Sequence, residues 1–163
     1  MNTTESRHSF QGRPIGAGRT QHATDVGVVV VSFASARTIR YCLELLLSAE
    51  SVVRIVVVDN ASVDGTADLV ADMVQRHERV TLVRNGENRG FAAACNQGAS
   101  ALATPWVCFV NPDCYVPGEG MDRLVQHGVT RAGAGLLGVD IVDEQGLPER
   151  HQERQKRDKG DNT

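Results

Sequence analysis

The chain has 163 residues, a formal net charge of -3, 41% hydrophobic residues and only 4% aromatic ones. That length suffices for one domain with its own core, which Val, Leu, Ile and Ala must build. The charge supplies no clustered basic surface for nucleic acid, no apolar run reaches the ~20 residues of a membrane span, and no apolar leader signals secretion, so a cytoplasmic protein is expected.

Residues 1–24 mix Thr, Ser, Gly, Arg and His without periodicity, which predicts a disordered leader. Gly16-Ala17-Gly18 within it does not read as a dinucleotide loop, because no strand precedes it and no helix follows. Val26 to Ser32 (VGVVVVS) is a continuous apolar strand of the kind covered on both faces. Ile39, Cys42, Leu43, Leu46 and Leu47 then recur at helical spacing, with Ser35 as the expected N-cap. Residues 53–59 (VRIVVVD) read as a second buried strand. Thr66, Leu69, Val70, Met73 and Val74 repeat the helical spacing, and Asp64 is placed to cap that helix. Residues 80–83 form a short third strand. Phe91, Ala94, Cys95, Gly98 and Leu102 give a weaker, Ala-rich helical face. Trp106 to Val110 suits a fourth buried strand, Met121, Leu124 and Val125 mark a short helix, and residues 135–142 read as a further strand ending in the 143–146 turn. From Leu147 onward Arg150, Arg154, Lys156, Arg157 and Lys159 alternate with Glu149, Glu153, Asp158 and Asp161 without apolar periodicity. This segment is either solvated and disordered or a helical extension that docks on a partner or an acidic lipid surface. The expected organisation is a leader over 1–24, one domain over 25–147 and a charged tail over 148–163.

Strands alternating with helices call for an α/β domain, a mainly parallel sheet with helices on both faces. Ligands of such sheets bind beyond the carboxyl ends of the strands. Those ends are Ser32-Phe33-Ala34-Ser35, Asp59-Asn60-Ala61-Ser62, Arg84-Asn85-Gly86 and Asn111-Pro112-Asp113, all polar or small where the strands are apolar. Asp59 either accepts hydrogen bonds from a ribose or base or braces its own turn. Ser32 either meets ligand or satisfies backbone groups. Gly90 opens the third helix and allows close backbone approach, and Arg89 beside it either pairs with a phosphate or lies in solvent. Asn96 sits in a helix that otherwise reads as buried, so its amide either ties down a loop or reaches ligand. Asp113 places a hard oxygen where Mg²⁺ or Mn²⁺ can be held against a phosphate.

The four cysteines (Cys42, Cys95, Cys108, Cys114) lack C-x-x-C spacing and read as reduced, buried thiols. None of His8, His22, His77, His127 and His151 pairs by spacing with a nucleophile turn, which argues against a hydrolase triad. A phospho-acceptor receiver domain would need acids after the first strand, and a nicotinamide dehydrogenase a glycine-rich turn there; Ser32-Phe33-Ala34 supplies neither.

The segments VVVVSFASARTIRYCLELLL, VVVDNASVDGTADLV and VRNGENRGFAAACNQGASALATPWVCFVNPD together resemble the inverting family-two glycosyltransferases of the GT-A fold over about residues 26–147. The Asn-Pro-Asp motif is similar to that of a rhamnosyltransferase-like bacterial branch. The resemblance implies a Rossmann-like nucleotide-sugar-binding domain that serves cell-wall or polysaccharide biosynthesis. The donor would be UDP- or dTDP-linked, and a glycan or lipid-linked acceptor would displace the diphosphate with inversion. Ser32, Phe33 and Asp59 would hold the nucleoside. Gly90, Phe91, Asn96 and Asn111 would edge the donor pocket, and Asp113 would hold the Mg²⁺ or Mn²⁺. The resemblance fades near Leu147, where the family carries its acceptor half and catalytic base, and neither Glu149 nor Glu153 has a motif that nominates it. The chain is therefore expected to be a C-terminally shortened, donor-binding form with no assignable base. It would act at the inner face of a membrane or serve as a non-catalytic nucleotide-sugar-binding module, and any uncovered sheet edge would favour self-association.

Overall fold

The computed structural model describes residues 9–11, 21–139 and 142. The chain divides into two units, Met1–Ala132 and Gly133–Thr163. The first holds strands β1 (Ser9–Gln11), β2 (Val26–Ser32), β3 (Val52–Asp59), β4 (Val80–Arg84) and β5 (Trp106–Val110), and helices α1 (Ile39–Leu47), α2 (Thr66–Arg76), α3 (Phe91–Ser100) and α4 (Gly118–Thr130). The sheet order is β1-β4-β3-β2-β5. β2 to β5 run parallel, and β1 pairs antiparallel with β4.

The apolar runs explain the layering. β2 is buried along its whole length, so alternate residues face opposite layers. Val28 and Val30, with Ile55, Val57 and Leu82, join Ile39, Leu43, Leu46, Val70 and Met121 of α1, α2 and α4 in one core. Val29 and Val31, with Val56 and Val58, join Ala94 and Cys95 of α3 in the other. Gly98 brings α3 close to the sheet: a Cβ there would clash with Val29 Cγ1. The α1 C-terminus is satisfied by Arg79, whose guanidinium donates to the carbonyls of Leu47, Ala49 and Val52.

Several expectations need correction. Ser9–Gln11, assigned to a disordered leader, forms the edge strand β1, and residues 21–24 are tied down, Gln21 donating to Ala103 O and the Trp106 indole to Ala23 O. Three residues carry no period to read, and only backbone pairing reveals them. Among the described residues β5 ends the sheet order, and α3 packs on β2 and β3 rather than over it; Val107 is 40% and Phe109 51% exposed. Ser35 does not cap α1: the N-cap position is Thr38, and the Ser35 hydroxyl donates to Phe33 O. The second helix begins after Gly65 (φ +87), and Asp64 reaches its first turn by accepting from Thr66 N at 3.1 Å. The last helix is longer than read, 13 residues. In the second unit, residues 134–139 are not strand and Val142 forms a single bridge. The 143–146 turn and the charged tail lie outside the described residues. Cys42 and Cys95 are buried free thiols, while Cys108 and Cys114 are half-buried. Burial pushes the Cys42 thiol up to about 12 and the Cys108 thiol to about 11, so both stay protonated near neutrality.

Asp122 of α4 accepts from Ser51 Oγ (2.6 Å), Ser51 N (2.8 Å) and Glu50 N (3.2 Å), joining the helix to the start of β3. Partial burial raises its pKa, but the Ser51 and Glu50 bonds outweigh that and hold it below the ordinary aspartate value. Asp122→Ala is expected to lose about 1–3 kcal/mol in urea unfolding at neutral pH. A depressed folded pKa means that this contribution is full above the unfolded-state value and fades as pH falls through the folded one. The gap between wild type and variant should therefore close in acid, and a gap independent of pH would refute the assignment.

Candidate functional site

β2 is followed in space by β3 and β4 on one side, but the chain then crosses back over α3 to place β5 on the other side of β2. A crevice opens at the carboxyl ends of β2 and β5, beside the loops that lead into α1 and α4 on one face of the sheet, at the strand ends where ligands of open α/β sheets usually bind. It is a cleft of about 520 Å³ lined by Val31, Phe33, Ala34, Ser35 and Thr38 from β2 and the approach to α1, by Asn60, Asn88 and Phe91, and by Asn111, Pro112 and Asp113 beyond β5.

The walls are held from behind. Register pairs Ser32 with Asp59, and the buried Asp59 carboxylate accepts from Ser32 Oγ (3.0 Å), Ser62 N (3.0 Å) and Ser62 Oγ (2.6 Å). Asn60, itself buried, spends its whole amide on the rim. Its Nδ2 donates to Asn88 Oδ1 (2.9 Å) and Gly90 O (3.4 Å), while its Oδ1 accepts from Asn85 Nδ2 (3.0 Å) and Arg89 N (3.2 Å). Asn85 also exchanges two bonds of 3.0 Å with Gln97 of α3. Gly90 precedes α3 at φ +81, ψ 158, a backbone region open essentially to glycine alone. On the β5 side, the Cys42 thiol donates to Asn111 O at 3.7 Å, and Tyr41 meets Tyr115 edge-on with ring centroids 5.0 Å apart.

Of the residues nominated from sequence, Phe33, Phe91, Asn111 and Asp113 line the cleft together. Ser32 and Asp59 stand behind its wall with their polar atoms committed to each other and to Ser62. Gly90 sits at the rim through its carbonyl bond to Asn60. Asn96 is exposed on α3 and away from the lining residues; the amide that ties down a neighbouring loop is that of Gln97. Arg89 is exposed, joined to the rim by its backbone N–H. Asn60 and Asn88 were missed, although Asn60 follows Asp59 at a polar strand end and could have been found there.

The acids differ in what remains available. Asp59 already accepts two hydrogen bonds at Oδ1 and one at Oδ2. Asp64 accepts from Thr66 and Ala36; the Thr66 hydroxyl first, then the Ala36 amide, hold its carboxyl below the ordinary range. Asp113 is exposed, is the sole acid lining the cleft among the described residues, and takes no hydrogen bond or ion pair from any of them. No described group of three His, Cys, Asp or Glu side chains could hold a metal ion unaided. The cleft thus suits a cation that brings further oxygen ligands with it, as a Mg²⁺-like ion does with phosphate and water.

The family model for glycosyl transferase family 2 matches residues 27–161. The succinoglycan biosynthesis protein ExoO of Rhizobium meliloti is 34% identical over 120 residues, covering 73% of this chain and 33% of that protein. The N-acetylglucosaminyl-diphospho-decaprenol L-rhamnosyltransferase of Mycobacterium tuberculosis is 31% identical over 136 residues, covering 76% and 43%. Among solved structures, the mannosyltransferase PcManGT of Pyrobaculum calidifontis, in complex with GDP-Man and Mn²⁺, aligns with a TM-score of 0.58 at 28% identity over 62% of this chain and 31% of that one. S. aureus TarS aligns at 0.57 with 19% identity over 72% and 38%, a likeness of fold. The chain spans about a third to two fifths of the length of these relatives.

Asn60→Ala removes the acceptor of Asn85 Nδ2 and of the Arg89 amide. A loss of about 1–3 kcal/mol in thermal or urea unfolding is expected, with faster hydrogen exchange at Arg89. Wild-type exchange at that amide would show that Asn60 does not hold the rim.

Proposed function

The chain belongs to glycosyl transferase family 2, and from that membership we propose that its cleft binds the nucleoside diphosphate of an activated sugar for transfer, with inversion at the anomeric carbon, to a glycan or lipid-linked acceptor. The observation that carries the reading is the exposed Asp113 carboxylate, unpaired among the described residues, lining the same cleft as two exposed phenylalanine rings at the carboxyl ends of the strands. The α/β sheet is of the GT-A type, and the similar mannosyltransferase was solved with GDP-Man and Mn²⁺.

Phe33 and Phe91 offer apolar ring surface to a base or sugar ring. Asn60 and Gly90 fix the rim between them, while Ser32 and Asp59 hold the wall rather than meet the donor. Asp113, with Asn111 in the same turn, would hold the Mg²⁺ or Mn²⁺. Such an ion supplies Lewis-acid stabilisation of charge on a departing diphosphate. Asp113 alone cannot complete a coordination shell, so ion and diphosphate would bind together.

An inverting transfer also requires a base within hydrogen-bond reach of the acceptor hydroxyl. That base and the acceptor site are proposed to lie outside the described cleft, whose one acid is assigned to the ion. No described helix is long and apolar enough to cross a membrane; a lipid-linked acceptor would be met at the membrane's inner face.

Calorimetry with UDP, dTDP and GDP, each with and without Mn²⁺, tests the reading. At least one nucleotide should bind about tenfold or more tightly with Mn²⁺ in the wild type, and Asp113→Ala should abolish that gain. Affinity that ignores both the ion and the substitution would sink the metal assignment. Separately, Phe33→Ala and Phe91→Ala should shift folding stability by no more than about 0.5 kcal/mol, as exposed substitutions do. Each should weaken nucleotide binding by about 1–3 kcal/mol if a base stacks there. Unaltered affinity in both variants would remove the rings from the nucleoside site.

A further inference from the structure

Three consecutive backbone N–H groups of the loop after β2 are captured by three side chains, two from the loop after β3 and one from the first residue of α2. Ala34 N donates to Ser62 Oγ at 3.0 Å, Ser35 N to Thr66 Oγ1 at 2.8 Å and Ala36 N to Asp64 Oδ2 at 3.0 Å. Both hydroxyls are oriented for this task. Ser62 Oγ gives its proton to Asp59 Oδ1 at 2.6 Å, and Thr66 Oγ1 gives its own to Asp64 Oδ1 at 2.5 Å. With the single proton of each hydroxyl committed to a carboxylate, its lone pairs are left to accept from the amides.

The loop so held is not a relaxed one. Ala34 sits at φ +52, in the left-handed region that a residue with a Cβ rarely adopts, and Ala61 of the opposing loop at φ +67. Such conformations persist where surrounding bonds over-determine them, and they gather at ligand sites. Ala34 and its neighbours Phe33 and Ser35 are all cleft-lining residues.

We propose that Ser62, Asp64 and Thr66 are positioning residues for the nucleoside: by fixing the amides of residues 34–36 they preorganise the Phe33-Ala34-Ser35 wall before ligand arrives. None of the three touches the cleft, so they act through the wall alone. This rests on the nucleotide reading given above. A loop ordered in advance spares the ligand the entropy of ordering it, so losing a rivet should show in affinity more than in folding.

The experiment pairs hydrogen exchange at the amides of Ala34, Ser35 and Ala36 with calorimetric affinity for UDP, dTDP and GDP in the presence of Mn²⁺. Ser62→Ala and Asp64→Ala, at half-buried and exposed positions, should lose amide protection and bind about tenfold more weakly. Ser62→Thr and Thr66→Ser keep the hydroxyl and should restore wild-type values. Because Thr66 is buried and its removal could unfold the chain, the two alanine variants decide the matter. Unchanged protection in both would overturn the rivet, and lost protection with wild-type affinity would overturn its positioning role. Failure of the wild type to bind any of the three nucleotides would instead overturn the nucleotide reading and this proposal with it, while the exchange data would still report whether the three bonds hold the loop.

Discussion

The reversal of strand order at β2 is the constraint on which the cleft depends. β2 pairs with β3 on one side and β5 on the other, both in parallel register, so the loops that leave these three strands open together at one end of the sheet. α3 makes that reversal possible by carrying the chain across the sheet. Its tight seating, with Gly98 against Val29, sets where its N-terminus presents Phe91. A side chain at Gly98 would press on Val29 and lift the helix, so sheet packing and cleft shape are coupled through one missing Cβ.

A parallel sheet buried on both faces leaves polar chemistry only at its ends, and there unpaired groups are costly. This chain solves the problem by pairing polar side chains across neighbouring strand ends: Ser32 with Asp59, Asn60 with Asn85 and Asn88, Asn85 with Gln97. The outcome is a rim in which the Asp59 carboxylate and the amides of Asn60, Asn85 and Gln97 hold loops. Asp113 stands outside that network, exposed on the turn after β5. An acid that no described residue engages can be neutralised by a ligand, which separates it from Asp59, though both follow apolar strands.

The strands, the helices and their order could be read from the chain because period-2 and period-3.6 patterns record which faces must be buried. The site was partly legible for the same reason: polar residues at the ends of apolar runs, Phe33, Asn111 and Asp113 among them, do converge. What escaped has physical causes. An apolar run such as 106–110 reads as buried on both faces whether or not a helix covers it, and the exposure of Val107 and Phe109 among the described residues follows from where α3 lies, which is not local information. Asn96 and Gln97 differ by one residue, about 100° around a helix; that rotation sends one amide to solvent and the other to Asn85. Asp59 and Asp113 look alike in sequence because the donors that consume Asp59 come from β2 and from its own turn, and only coordinates show them arriving.

The placement of the aromatic side chains bears on what the cleft receives. Val, Ile, Leu and Ala, with Met and Cys, fill the core; among residues 21–139, Phe33, Tyr41, Phe91, Phe109 and Tyr115 are all exposed and Trp106 is half-buried against the core. Large rings normally lower the free energy of folding by being buried. In a chain with 4% aromatic residues, placing Phe33 and Phe91 at 57% exposure in the lining of one cleft forgoes that gain. Their ring surface remains available for burial by a ligand that has a flat or apolar face of its own. An ion and a diphosphate have none; a nucleoside or a sugar ring does. The carboxylate of Asp113 and the two rings therefore ask for different parts of one molecule, charged at one end and ringed at the other, and a nucleotide sugar answers both at once.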